Sequence, residues 1–334
     1  MAGNTSVPGH GLPILLFLGA IGPDVPYSAG VTTRSTFFPT KQEQATRGKS
    51  VWADLLHYNQ SGVFLIELLR RGSQASSPIL RQKALYYALG HVTHIAGDSV
   101  VHPYTNTFAG AYHHQSNPAA ANGLGIHFYV EFCHDVATDI GYFHAAPQSL
   151  ASRPWPQYLA GVREELLQTH DGQSLFGLLK ETMRAVYDLN DARTNDFGQQ
   201  FLSGLSGVLT LSAWLSRYPL VNPFFKFSPQ LSTYFTQQTI PGTDETGQAL
   251  TFTQTVDFAT RVASHLCALV SAYYADLSDS PADAVASGAR LREDLRDWNL
   301  DTGYAVEQAL EQNQRPTISL RHSWYHFQRL RATT

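Results

Sequence analysis

Three side chains that can bind metals recur at four-residue spacing in the segment GHVTHIAGDSVVHPY, residues 90–104. On a helix, His94, Asp98 and His102 would form one polar stripe, because residues four apart lie on the same face. His91 joins the same side. Burying so many polar groups without partners costs several kcal/mol. A divalent metal could supply the partner, because imidazole nitrogen and carboxylate oxygen are ordinary zinc ligands.

A second segment, HFYVEFCHD at 127–135, repeats this pattern. His127, Glu131 and Asp135 again follow one another at four-residue intervals. One such stripe is equally typical of a satisfied polar cluster in a protein core. Two stripes on apolar helices favour a metal site, because facing helices of a bundle can enclose metal ions between them.

Periodic apolar residues predict the helices that must carry the two stripes. Over 78–104 they recur at three- and four-residue spacing, which predicts a buried helix ended by Pro103. The second stripe lies on a predicted helix over 125–142. The apolar run 12–21 predicts a short buried helix that enters a Pro-containing turn. A loop is predicted over 22–50, and 51–71 reads as two short helices or one broken near Gly62; further helical patterns lie at 157–169, 174–190, 196–217, 252–277, 281–298 and 303–313.

Alternating strand patterns are scarce, so the predicted fold class is all-α, a multi-helix bundle in which the two stripes can enclose metal ions. We expect a single domain over 1–334, with a metal-binding core at 10–145 and additional helices in 146–334. The predicted loop at 218–250 is long for a compact domain, which suggests a functional or lid role.

The composition excludes several classes of protein. A net charge of −4 provides no general electrostatic attraction to a phosphate backbone, so we expect no nucleic-acid partner. The two cysteines cannot build a thiolate zinc site or a disulfide framework. With 43% hydrophobic and 15% charged residues, the chain is not disordered. The run 12–21 is about half the ~20 residues that cross a bilayer, and it has neither the basic start nor the cleavage site of a secretion signal.

An ordered set of four motifs resembles the zinc-dependent phospholipase C family, which includes bacterial phospholipases C, the alpha-toxin catalytic domain and the amino-terminal domain of glycosylphosphatidylinositol-specific phospholipase D. The motifs are LFLGAIGPDVPY at 16–27, LLHYN at 55–59, ALGHVTHIAGDSVVHPY at 88–104 and HFYVE at 127–131. Each motif alone is weak, whereas the ordered set is specific. Together they span about residues 12–144.

This resemblance implies an all-helical bundle with zinc ions bound at named positions. It assigns the first zinc to Asp24, His57, His94 and Asp98, and the second to His102, His127 and Glu131. Asp24 would also be the general base. In the family, a third zinc shares the carboxylate that matches Asp98 and takes ligands from the mature amino terminus and a nearby histidine.

The sequence departs from the family pattern in two ways. The spacing from Asp98 to His102 is shorter than in the secreted bacterial enzymes and looks like the phospholipase D branch. No residue matches the amino-terminal ligands of the third zinc, so we expect two or three ions. Three histidines are candidates to complete a third site: His10, His265 and His326. Three other residues either orient the ligands by hydrogen bonds or are satisfied polar groups: His91, His134 and Asp135.

The implied activity is hydrolysis of a glycerophospholipid by metal-activated water, which releases diacylglycerol and a phosphorylated head group. One alternative is a zinc nuclease of the S1/P1 type, which resembles this pattern with aspartate where Glu131 stands here. Another is a non-catalytic helical module stabilised by metal, which predicts closed coordination.

A phospholipid substrate implies contact with a membrane surface. Phe224, Phe225 and Phe227, in the predicted loop, could enter a lipid interface or could instead close the core. An enzyme that degrades bulk phospholipid would endanger its producer, so we expect secretion or delivery outside the cell, for example as a toxin or effector domain inside a longer polypeptide.

Overall fold

Helices dominate the computed structural model, which confirms the all-α fold class. The model describes residues 12–32, 50–109, 155–215, 250–301, 303–306 and 318–331, with single positions at 35, 40, 42, 127, 130, 131, 133, 134, 234, 236 and 237. Within these residues, every helix is too short or too polar to span a bilayer.

The first half of the chain supplies the helices that carry the predicted ligands. They are α1 (Leu12–Ile21), a 3-10 helix (Gly22–Ser28), α2 (Val51–Tyr58), α3 (Ser61–Ser73) and α4 (Pro78–Ala109). The described positions between 127 and 134 are also helical, as predicted for 125–142. The Ser50 hydroxyl accepts a hydrogen bond from the Ala53 backbone N–H and so caps α2.

The second half contributes further helices and two small antiparallel sheets. The helices are α5 (Trp155–Leu167), α6 (Leu175–Val186), α7 (Asp191–Leu215), α8 (Phe252–Asp279), α9 (Pro281–Leu295), α10 (Ser323–His326) and α11 (Gln328–Arg331). Strand β1 (Thr169–His170) pairs with β2 (Gln173–Ser174), and β3 (Tyr304–Val306) pairs with β4 (Ile318–His322).

A close approach between α1 and α4 places the first ligands. A Cβ atom at Gly90 would lie 1.9 Å from the Leu16 carbonyl oxygen, so only glycine lets the two backbones come this near. The end of α1 therefore lies beside α4, where His94 Nδ1 is 2.9 Å from the Ala20 carbonyl oxygen. Directly after this contact, the 3-10 helix presents Asp24.

Two element predictions were wrong. Helix α4 does not end at Pro103 but continues to Ala109, because the carbonyl that proline leaves without a helix donor finds one elsewhere: Ser323 Oγ donates to the Ser99 oxygen. Residues 304–306 form a strand rather than part of a helix over 303–313, because they pair with β4, a remote segment that local periodicity cannot reveal.

Other predictions need only adjustment. The 51–71 pattern forms two helices that separate before Gly62, at Gln60, whose backbone is left-handed with φ 54°. The predicted loop over 22–50 begins with the 3-10 helix. Several predictions lie outside the described residues, namely those on His10, Asp135, Phe224, Phe225, Phe227 and most of the loop at 218–250. The division into a metal-binding core and additional helices stays a prediction.

The buried apolar side chains form one cluster that joins both halves of the chain. Its largest fully buried members include Trp52 and Tyr87 from the first half and Trp298, Trp324 and Phe327 from the second. The helices that carry the ligands are therefore packed against the carboxyl-terminal part of the chain, a contact that bears on the site itself.

Candidate metal centre

Asp24, His57 and His94 converge, and we call them the first ligand group. His57 Nε2 lies 3.1 Å from Asp24 Oδ1 and 3.2 Å from His94 Nε2. Both imidazoles are buried, whereas Asp24 is exposed. They come from the 3-10 helix, α2 and α4, so the group depends on the packing of three separate elements.

Backbone carbonyls orient both imidazoles of this group. His57 Nδ1 is 2.8 Å from the Ala53 carbonyl oxygen, and His94 Nδ1 is 2.9 Å from that of Ala20. A carbonyl can only accept, so each Nδ1 donates and each Nε2 is directed towards the other ligands. Histidines that bind zinc are held in this way by the hydrogen bond of their second nitrogen.

His102, His127 and Glu131 form the second ligand group. Glu131 Oε1 lies 3.0 Å from His102 Nε2 and 3.1 Å from His127 Nε2. The two imidazole rings are nearly perpendicular, with centroids 5.2 Å apart. Here the stripes on α4 and on the helical positions at 127–134 face each other, as the sequence pattern indicated.

Asp98 lies between the two groups. Its Oδ2 is 3.1 Å from His94 Nε2 and 3.6 Å from His57 Nε2, while its Oδ1 is 4.0 Å from His102 Nε2. One carboxylate thus faces a ligand group with each oxygen. This follows from the spacing on α4, which sets His94 and His102 one turn on either side of Asp98.

The donor set and its dimensions fit zinc. Ligands at about 2.0–2.1 Å from a tetrahedral zinc lie roughly 3.3 Å from one another. The contacts of 3.0–3.1 Å between Nε2 and carboxylate oxygen atoms in the two groups are close to that separation. Imidazole with carboxylate is also an ordinary zinc donor set.

Neighbouring imidazoles and carboxylates of the centre strongly shift one another's pKa values. Burial alone would lower the pKa of His94 and His102, but neighbouring carboxylates outweigh it and raise them to about 9 and about 10. Burial would raise the pKa of Asp98 and Glu131, yet the imidazoles bring that of Glu131 down to about 2 and that of Asp98 well below its usual range. Without metal at neutral pH, His94 and His102 are therefore imidazolium ions paired with Asp98 and Glu131.

The carboxylates form the solvent side of the centre. The Asp24 side chain is 53% exposed and that of Glu131 is 31% exposed, whereas the His57 side chain is only 3% exposed. This side is where water or a substrate could approach.

Other histidines predicted near the metals belong to neither ligand group. His91 is buried against Phe64, with ring centroids 5.1 Å apart, and burial lowers its pKa well below the ordinary value. His134 stacks on Phe252 at 4.1 Å. Nε2 of His265 lies 2.5 Å from Asp294 Oδ2, and Nε2 of His326 lies 3.0 Å from Oδ1 of the same carboxylate.

Sequence reasoning missed the contribution of a segment near residue 300. The negative charge of buried Asp301 helps to raise the pKa of His102. The Leu300 backbone N–H donates to the His57 carbonyl oxygen at 3.0 Å. These residues follow the ligands by about 170 positions or more and belong to no recognisable motif, so spacing could not identify them.

Residues 14–155 match the family model described as zinc dependent phospholipase C. The resemblance drawn from the four motifs is thus confirmed over this segment, which contains both ligand groups and Asp98. At the level of the family, it supports a hydrolase of the phospholipase type that uses zinc. Searches of curated proteins and of solved structures gave no significant match.

Proposed function

We propose that the protein is a zinc-dependent phosphodiester hydrolase that cleaves glycerophospholipids to diacylglycerol and a phosphorylated head group. The observation that carries this proposal is the pair of ligand groups with Asp98 between them, inside the segment that matches the family. Asp24, His57, His94 and Asp98 would hold one zinc, and His102, His127 and Glu131 a second.

Zinc bound at such a centre polarises phosphoryl oxygens and lowers the pKa of water towards 7. The protein's own contribution is to fix the ligands before the substrate arrives. His57 and His94 are buried and oriented by backbone carbonyls, so little reorganisation is needed. The exposed Asp24 carboxylate lies on the solvent side, where it could take a proton from the attacking water as the general base.

Two alternative functions, a zinc nuclease and a non-catalytic module, are disfavoured by different observations. Glu131 bonds both imidazoles of the second ligand group, and glutamate at this position favours the phospholipase over an S1/P1-type nuclease, as does the net charge of −4. The exposure of Asp24 and Glu131 favours an open centre over the closed coordination of a structural metal site.

The decisive experiment offers zinc-loaded protein a mixture of phospholipids and, separately, single-stranded DNA, and identifies products by mass spectrometry. We expect diacylglycerol and phosphorylated head groups from the lipids and no nucleotides from the DNA. Nucleotide products would favour the nuclease. Bound zinc with no product from either substrate would favour the non-catalytic module.

We also propose that the substrate is presented by a membrane surface outside the producing cell. The support is the hazard of a phospholipid-degrading enzyme to its producer; Phe224, Phe225 and Phe227, which could enter a lipid interface or close the core, lie outside the described residues. Fractionation of a producing culture tests the location, and protein confined to the cell interior would contradict it.

A further inference from the structure

Two short segments near the carboxyl terminus contact the turns that carry the ligands. They are residues 297–301 with 303, and residues 323–327, which we call the carboxyl-terminal brace. The Ser323 backbone N–H donates to the Gly303 carbonyl oxygen at 2.8 Å, which ties the two segments together. The brace lies outside the family match at 14–155, so the family model does not account for it.

The first contact replaces a hydrogen bond that α4 lacks at Pro103. Pro103 has no N–H, so the Ser99 carbonyl oxygen loses its helix donor in the turn between Asp98 and His102. Ser323 Oγ replaces that donor at 2.7 Å. Ser99 and Ser323 are both fully buried, where water cannot supply the missing hydrogen bond.

A second contact lies one residue further along α4. The Trp324 indole Nε1–H donates to the Val100 carbonyl oxygen at 2.9 Å, and the whole Trp324 side chain is buried. The brace therefore bonds consecutive carbonyls in the helical turn that separates Asp98 from His102.

The other segment of the brace reaches the first ligand group and the end of α4. The Leu300 N–H donates to the carbonyl of His57 itself, near the end of α2. The Asn106 amide donates to Asp301 at both its backbone oxygen and, at 3.2 Å, its Oδ1. This ties the Asp301 carboxylate to Asn106, one turn of α4 beyond His102.

We propose that the carboxyl-terminal brace is a positioning part of the metal centre, with Ser323 and Trp324 holding the α4 turn that sets Asp98 relative to His102. The inference rests on the proposed function in so far as the centre binds zinc. The structural part of the inference, that the brace keeps α4 helical across Pro103, does not depend on metal.

The test compares Ser323→Ala and Trp324→Phe with a matched control in the full-length protein. Trp324→Phe removes the N–H together with part of the buried indole, and it is the second variant if Ser323→Ala fails to fold. The control is Thr182→Val, because Thr182 is also fully buried and its hydroxyl donates to a helix carbonyl, that of Leu178, at 2.7 Å. Zinc affinity is measured by competition with a chelator, and amide hydrogen exchange is followed in the zinc-free protein.

We expect both brace variants to speed exchange in α4 around residues 99–107 and to weaken zinc binding by about 10- to 100-fold, the range for groups that orient metal ligands. Thr182→Val should change neither amide exchange at 99–107 nor zinc affinity. Unchanged exchange at 99–107 would overturn the inference whether or not zinc binds. Faster exchange with wild-type zinc affinity would overturn the positioning role. If wild-type protein binds no zinc, the proposed function fails and the positioning role fails with it.

Discussion

A doubly protonated imidazole must lose one proton before its nitrogen can bind zinc. The folded-state pKa of His94, about 9, and of His102, about 10, lie above the ordinary value for histidine. The pairing that raises them stabilises the metal-free protein fully below the ordinary pKa, and this stabilisation is lost as the pH rises through 9 to 10. Protons and zinc therefore compete for these residues near neutral pH.

This competition predicts proton release. At pH 7, zinc binding should release about two protons per chain, from His94 and His102, and affinity should rise with pH. Calorimetric titrations in two buffers with different ionisation enthalpies measure the number. His265→Ala, which changes neither ligand group, should leave it unaltered. Heats that do not depend on the buffer would contradict the predicted protonation.

Asp24 and Asp98 should respond differently to removal of their charge. Asp24→Asn should lower turnover by about 10²- to 10⁴-fold, the contribution of a general base, while the second ligand group keeps its zinc. Asp98→Asn should weaken zinc binding at both groups, because its two oxygens face one group each. Steady-state kinetics with zinc analysis separates the two effects. Full activity in Asp24→Asn would show that the base lies elsewhere.

Much of the candidate site could be predicted from local spacing. His94, Asp98 and His102 share one helix, so helical periodicity sufficed to place them together. Asp24 and His57 carry no such signal and were assigned only through the family resemblance. Asp301 could not be found by either route, because its position near His102 depends on the tertiary packing of a distant turn.

At the scale of elements, long amphipathic helices could be predicted from the sequence. A hydrogen bond from a distant residue that lets a helix continue past a proline could not. The pattern over 252–277 predicted α8 within two residues at its end, because the Thr251 capping box and apolar periodicity both act locally. Pro103 was expected to end α4, since proline removes a helix hydrogen bond. That expectation failed because the replacement donor, Ser323, lies 224 residues from Ser99.

The packing of the 3-10 helix against α7 leads to a prediction about stability and zinc binding. A Cβ at Gly204 would lie 1.9 Å from the Val25 carbonyl oxygen, next to Asp24. Gly204→Ala should displace this turn, cost about 1–3 kcal/mol of unfolding free energy and weaken zinc binding at the first ligand group. Chemical denaturation and zinc titration measure both.

The same helix offers a control. A Cβ at Gly198 would lie 3.3 Å from the Lys180 side chain and 3.3 Å from the Phe176 ring, but it would meet no backbone atom of the 3-10 helix. Gly198→Ala should therefore leave zinc affinity unchanged and should cost less unfolding free energy than Gly204→Ala. If Gly204→Ala behaved in the same way, the packing of α7 would not matter to the site.

At the scale of the whole molecule, the metal centre and the core are parts of one packed assembly. Buried side chains from both halves contact one another, and the carboxyl-terminal brace bonds α2 and α4 beside the ligands. The low charged fraction, 15%, is consistent with a large apolar interior. Zinc at the ligands should then act on the stability of the whole fold.

Removal of zinc should destabilise the protein as a unit. Free zinc at about 100 times its dissociation constant adds roughly 2.7 kcal/mol to the unfolding free energy, because it binds the folded state alone. Chelation should therefore lower Tm, and by more at pH 8 than at pH 6, since protons on His94 and His102 oppose zinc at the lower pH. The amide of Leu300, bonded to the His57 carbonyl, should exchange faster after chelation, although it is far from the ligands in sequence. Thermal denaturation and hydrogen exchange at both pH values measure these effects, and an unchanged Tm would show that the centre is not coupled to the fold.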